Sequence, residues 1–208
     1  MRGRFITFEG GEGVGKSTQV GRAAAWLRTS GREVVVTREP GGTPRSERLR
    51  ELLLERSAEP MPPSCELLLM FAARATHVAN LVEPALTRGA WVLCDRFTDA
   101  SHAYQGGGRG IAQSHIDALA KLAHPGLTPD LTVLLDAPVA LGLRRAGARQ
   151  APATDRFEAE RLEFFERVRD VYLERARLEP ERIRIVDAAG TIDEVEAALR
   201  SALGPLLT

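Results

Sequence analysis

Apolar residues along the 208-residue chain fall into two alternating kinds of run. Short β-prone runs occupy Phe5–Phe8, Val34–Thr37, Ala90–Cys94, Leu131–Leu135 and Ile183–Val186. Between them lie longer stretches with apolar positions at helical spacing, such as Val20, Ala23, Ala24 and Leu27. Successive runs are separated by more than a crossover requires. The pattern therefore predicts an α/β fold, a parallel sheet of roughly five strands covered by helices on both faces. In such sheets ligands gather at the carboxyl ends of the strands. Those ends read Glu9-Gly10, Thr37-Arg38-Glu39-Pro40, Asp95-Arg96, Asp136 and Asp187, so polar chemistry collects on one edge.

The first strand runs straight into Gly10, Gly11, Glu12, Gly13, Val14, Gly15, Lys16, Ser17 and Thr18. This is the G-x-x-x-x-G-K-[ST] pattern with the strand before it and the helix after it that a phosphate loop requires. Its backbone N–H groups and the positive end of the helix dipole suit a polyphosphate. Lys16 then reaches the β- and γ-phosphates, and Ser17 takes Mg²⁺. Of the 28 basic residues only Lys16 and Lys121 are lysines. A compact ammonium at 16 fits between phosphate oxygens where a guanidinium fork does not.

Further along, a turn-rich loop after the second strand leads to a helix carrying Arg50. A long helix beginning near Ser64 has an inward stripe of Leu67, Met70/Phe71, Val78 and Leu81, with Arg74 on that stripe. An arginine there either snorkels outward or meets a ligand or acidic acceptor. Pro84 is expected to bend or break this helix. Asp95, ending an apolar strand, is the better candidate for a Mg²⁺-holding carboxylate and Asp136 its rival, because Arg96 puts a cation beside Asp95. The segment from Ser101 through Tyr104 and Gln105 to Gly110 is too glycine-rich for a regular helix and reads as a surface loop. Arg144, Arg145, Arg149 and Arg156 flank or occupy an aperiodic stretch, which is either a solvated linker or a basic lid. The last two helical stretches read as packing elements.

Basic and acidic residues balance at 28 each, so no global field draws in nucleic acid or an anionic membrane, and any basic site is local. Cys65 and Cys94 lack metal-ligand spacing, and each lies in an apolar run that suggests a buried, reduced thiol and a cytoplasmic setting. No signal region is expected, and no apolar run approaches the ~18 residues that span a bilayer. His77, His102, His115 and His124 read as ordinary surface or core histidines.

With FEGGEGVGKSTQ, TREPGGT at 37–43, DRFTDASHAYQGGGRGI at 95–111 and LDAPVALGLRRAGAR followed by DRFE over 135–158, the chain resembles bacterial thymidylate kinases nearly end to end. The resemblance implies a P-loop NTPase fold, three-layer α/β/α, as a single kinase domain over 1–208 with a short lid at about 144–156. It implies γ-phosphoryl transfer from ATP to dTMP with Mg²⁺, and a homodimer. It further implies that Glu12 bonds the deoxyribose 3′-hydroxyl, and that Arg38, Arg50 and Arg96 meet the acceptor phosphate, with Glu39 and Pro40 beside them. Arg74, Ser101 and Gln105 read the thymine edge, Tyr104 crowds the 2′ position, and Arg144, Arg145 and Arg149 supply lid charge. Gly13 after Glu12 fits the subclass whose phosphate loop lacks an arginine. One departure is that the position four before Arg74, usually aromatic in the family, is Met70, with Phe71 next to it. On the residues alone, a kinase for another nucleoside monophosphate remains open. So does a nucleotide switch, although the chain lacks an N-K-x-D motif.

Overall fold

The computed structural model of the chain describes residues 2–55, 57–147 and 155–207, with side chains in the last stretch from 161 onward. Five parallel strands form one sheet: β1 (Phe5–Glu9), β2 (Val34–Arg38), β3 (Trp91–Asp95), β4 (Leu131–Asp136) and β5 (Ile183–Asp187), in the order β2-β3-β1-β4-β5. Each strand continues one polar residue beyond its apolar run. Those residues keep the ladder: Phe8 pairs with Asp95, Arg38 with Asp95 and Asp136 with Asp187.

Alternation along the strands divides the core. Ile6, Phe8, Leu93, Val133 and Leu135 point to one face, where α1 (Lys16–Thr29) buries Val20, Ala23, Ala24 and Leu27 and α9 (Ile192–Leu203) buries Val195, Leu199 and Leu203. Phe5, Val92 and Cys94 point to the other face, against Val78, Val82, Ala85 and Leu86. On that same face Leu134 and Ile183 meet Val168, Tyr172 and Ala176 of α8 (Asp155–Leu178).

At Pro84, where a bend or break is expected, the chain stays helical but the α-helix is interrupted. α3 (Pro63–His77) passes through a π turn (Val78–Val82) into α4 (Glu83–Thr87), and the Glu83 N–H reaches back to the Val78 carbonyl just before the proline. A wider turn ahead of Pro84 absorbs the ring and the missing donor. The combined helix, Pro63–Thr87, has a mean hydropathy of 1.3 over its most apolar stretch and is long enough to cross a membrane. This corrects the expectation that no segment approaches that length. Its apolar face is nevertheless spent on the chain's own sheet, and it carries Arg74 and His77 fully inward. These are properties of a core helix.

The glycine-rich segment after α5 (Thr98–Ser101) is a π-helical stretch, His102–Gly108, not a surface loop. It lies against α8, and a Cβ on Gly108 would fall 2.5 Å from the Phe164 ring. Cys94 is buried as expected, but Cys65 is exposed, since it occupies the outer side of the first turn of α3. The elements that complete the chain are α2 (Pro44–Leu54), α6 (Gln113–Ala123) and α7 (Val139–Gly147).

Candidate active site

The phosphate loop leads from β1 into α1 through Gly15, which is left-handed at φ 89° and leaves Lys16 as the first helical residue. No acidic residue stands in the first turn of α1, so the positive end of its dipole is uncompensated. The Lys16 ammonium donates to the carbonyls of Gly10 (3.0 Å) and Gly11 (2.7 Å). Burial, and after it the charge of Arg96, lowers its pKa to about 8. A buried ammonium held this way gains most from a nearby phosphate anion.

At the end of β3, the Ser17 hydroxyl donates to Asp95 Oδ2 at 3.2 Å, while Asp95 Oδ1 is buried without a hydrogen-bond partner. The rival, Asp136, takes a bidentate pair from Arg169 at 2.7 and 2.8 Å and has no such free oxygen. The geometry favours Asp95. Arg96 follows it in a left-handed conformation, φ 71°, uncommon for a side-chain-bearing residue and of the kind that clusters at functional sites. Its guanidinium lies 4.5 Å from the Tyr104 ring centroid and donates to Glu12 Oε1 at 2.6 Å. The Tyr104 hydroxyl donates to the same oxygen at 3.1 Å. Burial pulls the Glu12 carboxyl upward, but Arg96 and Lys16 outweigh it and hold the group below the usual carboxylate range. Glu12 thus joins Arg96 and Tyr104, more than eighty residues further along the chain, in one cluster.

Arg38 and Arg50 stand nearby on β2 and α2. Arg38 donates to Glu47 Oε2 (2.9 Å), and Arg50 donates to the Pro40 carbonyl (2.9 Å). Burial, and then the charge of Arg38, lower the Arg50 pKa, with Arg96 adding to the effect. Cations held close enough to repel one another form a site for an anion.

Arg74 is 1% exposed, and the acceptor it needs is Glu39: its Nε donates to Glu39 Oε2 at 2.6 Å. Its Nη2 donates to the Phe97 carbonyl (3.0 Å) and the Ser101 hydroxyl (3.1 Å), while its Nη1 has no partner. Gln105 Nε2 donates to Glu66 Oε1 (2.9 Å), leaving the buried Gln105 Oε1 without one. Two of the residues expected at the substrate have their polar atoms engaged within the protein. Glu39 has both oxygens engaged inside the protein, by Arg74 and His77, and Ser101 is fully buried against Arg74. Phe71 is buried with Leu67 and Ile116, its ring 4.5 Å from the Arg74 guanidinium, whereas Met70 is half-exposed.

Arg144 is exposed on α7. Arg145 departs from expectation: it donates to the carbonyls of Ala188 (2.7 Å) and Ala189 (2.9 Å), tying α7 to the loop after β5. That loop, the phosphate loop, Asp95, Arg96 and Arg145 line one open cavity. Arg149 and most of the expected lid lie outside the described residues.

Several residues of this region carry no sequence motif. Glu9 is fully buried, with Oε1 accepting the Phe97 N–H (2.7 Å) and Oε2 the Tyr172 hydroxyl (2.8 Å). His77 bridges Thr37 and Glu39. The α8 helix, expected only to pack, brings Arg169 to Asp136, Tyr172 to Glu9 and Arg175 to Asp99. Only the extra polar residue at the end of the first apolar run, Glu9, could have hinted at this.

A phosphate loop opening a helix on a parallel sheet, with a strand-end aspartate opposite it and Arg38, Arg50 and Arg96 gathered beside it, defines a phosphate-loop kinase of small phosphorylated acceptors. The profile of the thymidylate kinase family matches residues 8–199. Thymidylate kinases of Pseudomonas syringae pv. syringae and Thiobacillus denitrificans are 56% and 57% identical to the chain, over 100% and 99% of its length and 98% of theirs. The crystal structure of thymidylate kinase from Ehrlichia chaffeensis superposes with a TM-score of 0.80 at 33% identity, covering 98% of this chain and 99% of that one. The chain belongs to the thymidylate kinase family, ATP-dependent phosphotransferases that convert dTMP to dTDP.

Proposed function

We propose that dTMP binds between Arg96 and Arg74 while the triphosphate of ATP lies on the phosphate loop. The observation that carries this reading is that, of the four buried side-chain polar atoms without partners among the described residues, three lie in this region: Arg74 Nη1, Gln105 Oε1 and Asp95 Oδ1, the fourth being Gln19 Oε1 on α1. Buried polar groups are satisfied as a rule, and unmet ones point to a ligand or water. Arg74 Nη1 is a donor and Gln105 Oε1 an acceptor, which suits the 4-carbonyl and N3–H of thymine. Cytosine reverses both, setting donor against donor and acceptor against acceptor, a mismatch that costs far more than a missing contact. Both atoms are buried, so the base reaches them as side chains above them shift, the half-exposed Met70 among them.

At the sugar, Glu12 accepts from the 3′-hydroxyl, and the Tyr104 ring beside it leaves no room at the 2′ position. Arg38, Arg50 and Arg96 hold the acceptor phosphate, whose anionic oxygen attacks the γ-phosphorus in line as ADP leaves. A phosphate monoester is already ionised, so no general base is required. Catalysis is positioning and charge neutralisation. Lys16 turns from the Gly10 and Gly11 carbonyls to the transferring phosphates, and Arg144 and Arg149 add charge from the lid. Asp95 and Ser17 would hold Mg²⁺, since the unpartnered carboxylate oxygen and the adjacent hydroxyl are the hard oxygen donors it prefers. Bound there, it would neutralise phosphate charge. We read the chain as a single kinase domain with its lid at about 144–156, working as a cytoplasmic homodimer, on the family resemblance.

The test is ADP release with ATP, Mg²⁺ and each of dTMP, dUMP, UMP, CMP and AMP. The reading predicts the highest kcat/KM for dTMP and the lowest for CMP and AMP. Comparable values across the panel would contradict it.

A further inference from the structure

Arg74 has one bond to Glu39, through Nε and Oε2. A carboxylate held at a single oxygen still turns about its terminal torsion, which is broad. Its other oxygen, Oε1, is met by His77 Nδ1 at 2.8 Å, and on the far side of the ring His77 Nε2 meets the Thr37 hydroxyl at 2.7 Å. An ionised carboxylate only accepts, so Nδ1 carries the proton. Burial would raise the Glu39 carboxyl, but the charge of Arg74 and the bond from His77 hold it below the usual range, keeping it an acceptor.

All four side chains are buried: Thr37 at 8%, Glu39 at 3%, Arg74 at 1% and His77 at 0% exposure. Gly42 makes room for the chain. Its φ is +87°, and a Cβ there would lie 2.4 Å from Thr37 Oγ1 and 2.7 Å from His77 Nε2. Buried ion pairs contribute little net stability, so a chain of this kind matters more for fixing geometry.

We propose that His77 is a positioning residue for base recognition, with the chain Thr37–His77–Glu39 setting the plane of the Arg74 guanidinium so that Nη1 faces the 4-carbonyl of the acceptor pyrimidine. This rests on the reading that Arg74 reads the thymine edge. His77 does not touch the substrate. With Nη2 already donating to the Phe97 carbonyl and the Ser101 hydroxyl, it fixes the Nε side of the group through Glu39, so that Nη1 is held toward the 4-carbonyl and does not swing to the ring nitrogen of cytosine.

The experiment compares wild type with His77→Leu, His77→Asn, Thr37→Val, Arg74→Gln and the double variant His77→Leu/Arg74→Gln, measuring KM for dTMP and ATP, kcat, and kcat/KM for dTMP against dCMP. His77→Leu is expected to raise the dTMP KM and narrow the preference for dTMP by roughly tenfold, the scale of one buried hydrogen bond. The ATP KM should stay within about twofold. His77→Asn, whose amide can still donate to Glu39, should recover most of the loss. Thr37→Val should move in the same direction by less, and it covers the case in which His77→Leu does not fold. The double variant should discriminate no worse than Arg74→Gln. If Arg74→Gln loses its preference for dTMP while His77→Leu and Thr37→Val keep theirs, the positioning role is wrong. It is equally wrong if His77→Asn fails as badly as His77→Leu, or if both substrates' KM values rise together with a lower Tm. If Arg74→Gln itself keeps the preference, the base-reading assignment fails, and this inference with it.

Discussion

Glu9 shows how much a single buried residue constrains the site. Burial, and then the charge of Asp99, push its pKa up from 4.5 to about 7 despite the bonds from Tyr172 and Phe97. The folded state therefore binds this proton more tightly than the unfolded chain. Its contribution is fully present below pH 4.5 and is lost as pH rises to about 7. Asp99 has the opposite sign. Burial would raise it, but Arg182 and Arg175 hold it at about 2, so its contribution is constant over that range. Glu9→Gln cannot ionise, and its stability relative to wild type should improve by roughly 1–3 kcal/mol between pH 4.5 and pH 8 in denaturant titrations. A pH-independent difference would mean that Glu9 stays ionised throughout. Position 71 offers a second residue-scale check. Phe71 belongs to the cluster with Leu67 and Ile116, so Phe71→Leu should cost about 1 kcal/mol of stability with little change in dTMP affinity, while Met70→Ala weakens dTMP binding. A several-fold rise in the dTMP Kd for Phe71→Leu alone would make Phe71 the residue that stacks on the base. At this scale the motif residues Lys16, Ser17, Asp95 and Arg96 were legible, because their chemistry is tied to spacing. Glu9 and His77 were not, since a lone polar side chain facing a sheet has no sequence signature.

Between elements, the closest approach in the site is that of the phosphate loop to α7. A Cβ on Gly13 would fall 2.0 Å from the Gly142 carbonyl, and one on Gly142 would fall 2.3 Å from the Glu12 carbonyl. The two glycines let backbone pack on backbone, which gives a physical reason why the loop carries no arginine at 13. Gly142→Ala should push α7 away from the loop. It should lower kcat by about tenfold or more through the displaced Arg144, while dTMP affinity changes little. An unchanged kcat would show that α7 does not carry catalytic charge. The glycine run at 106–108 misled the sequence reading for the same reason: glycines that signal a loop by composition here admit α8 to a π-helical stretch. Pro84 marks an interruption of the α-helix as expected, but the form of it, a π turn before the proline with Pro84 in the first turn of α4, was not legible.

Across the whole molecule, the fold class was legible because the strands appear as isolated apolar runs, buried throughout in β1, β3 and β4 and half-exposed in the edge strands β2 and β5, and five such runs became five strands. Their order in the sheet was not, since it depends on which crossovers pass which face. The convergence of Glu12 with Arg96 and Tyr104 was implied only by the family resemblance, since spacing alone does not bring the phosphate loop to the 95–111 stretch. The neutral net charge conceals a local group of cations for the same reason: Arg38, Arg50 and Arg96 come from β2, α2 and the end of β3. The most direct test of the account is a crystal structure of the chain with dTMP and a non-hydrolysable ATP analogue. It should place the thymine 4-carbonyl and N3–H within hydrogen-bonding distance of Arg74 Nη1 and Gln105 Oε1, and the acceptor phosphate among Arg38, Arg50 and Arg96. A base bound elsewhere, with Arg74 Nη1 still unpartnered, would contradict it.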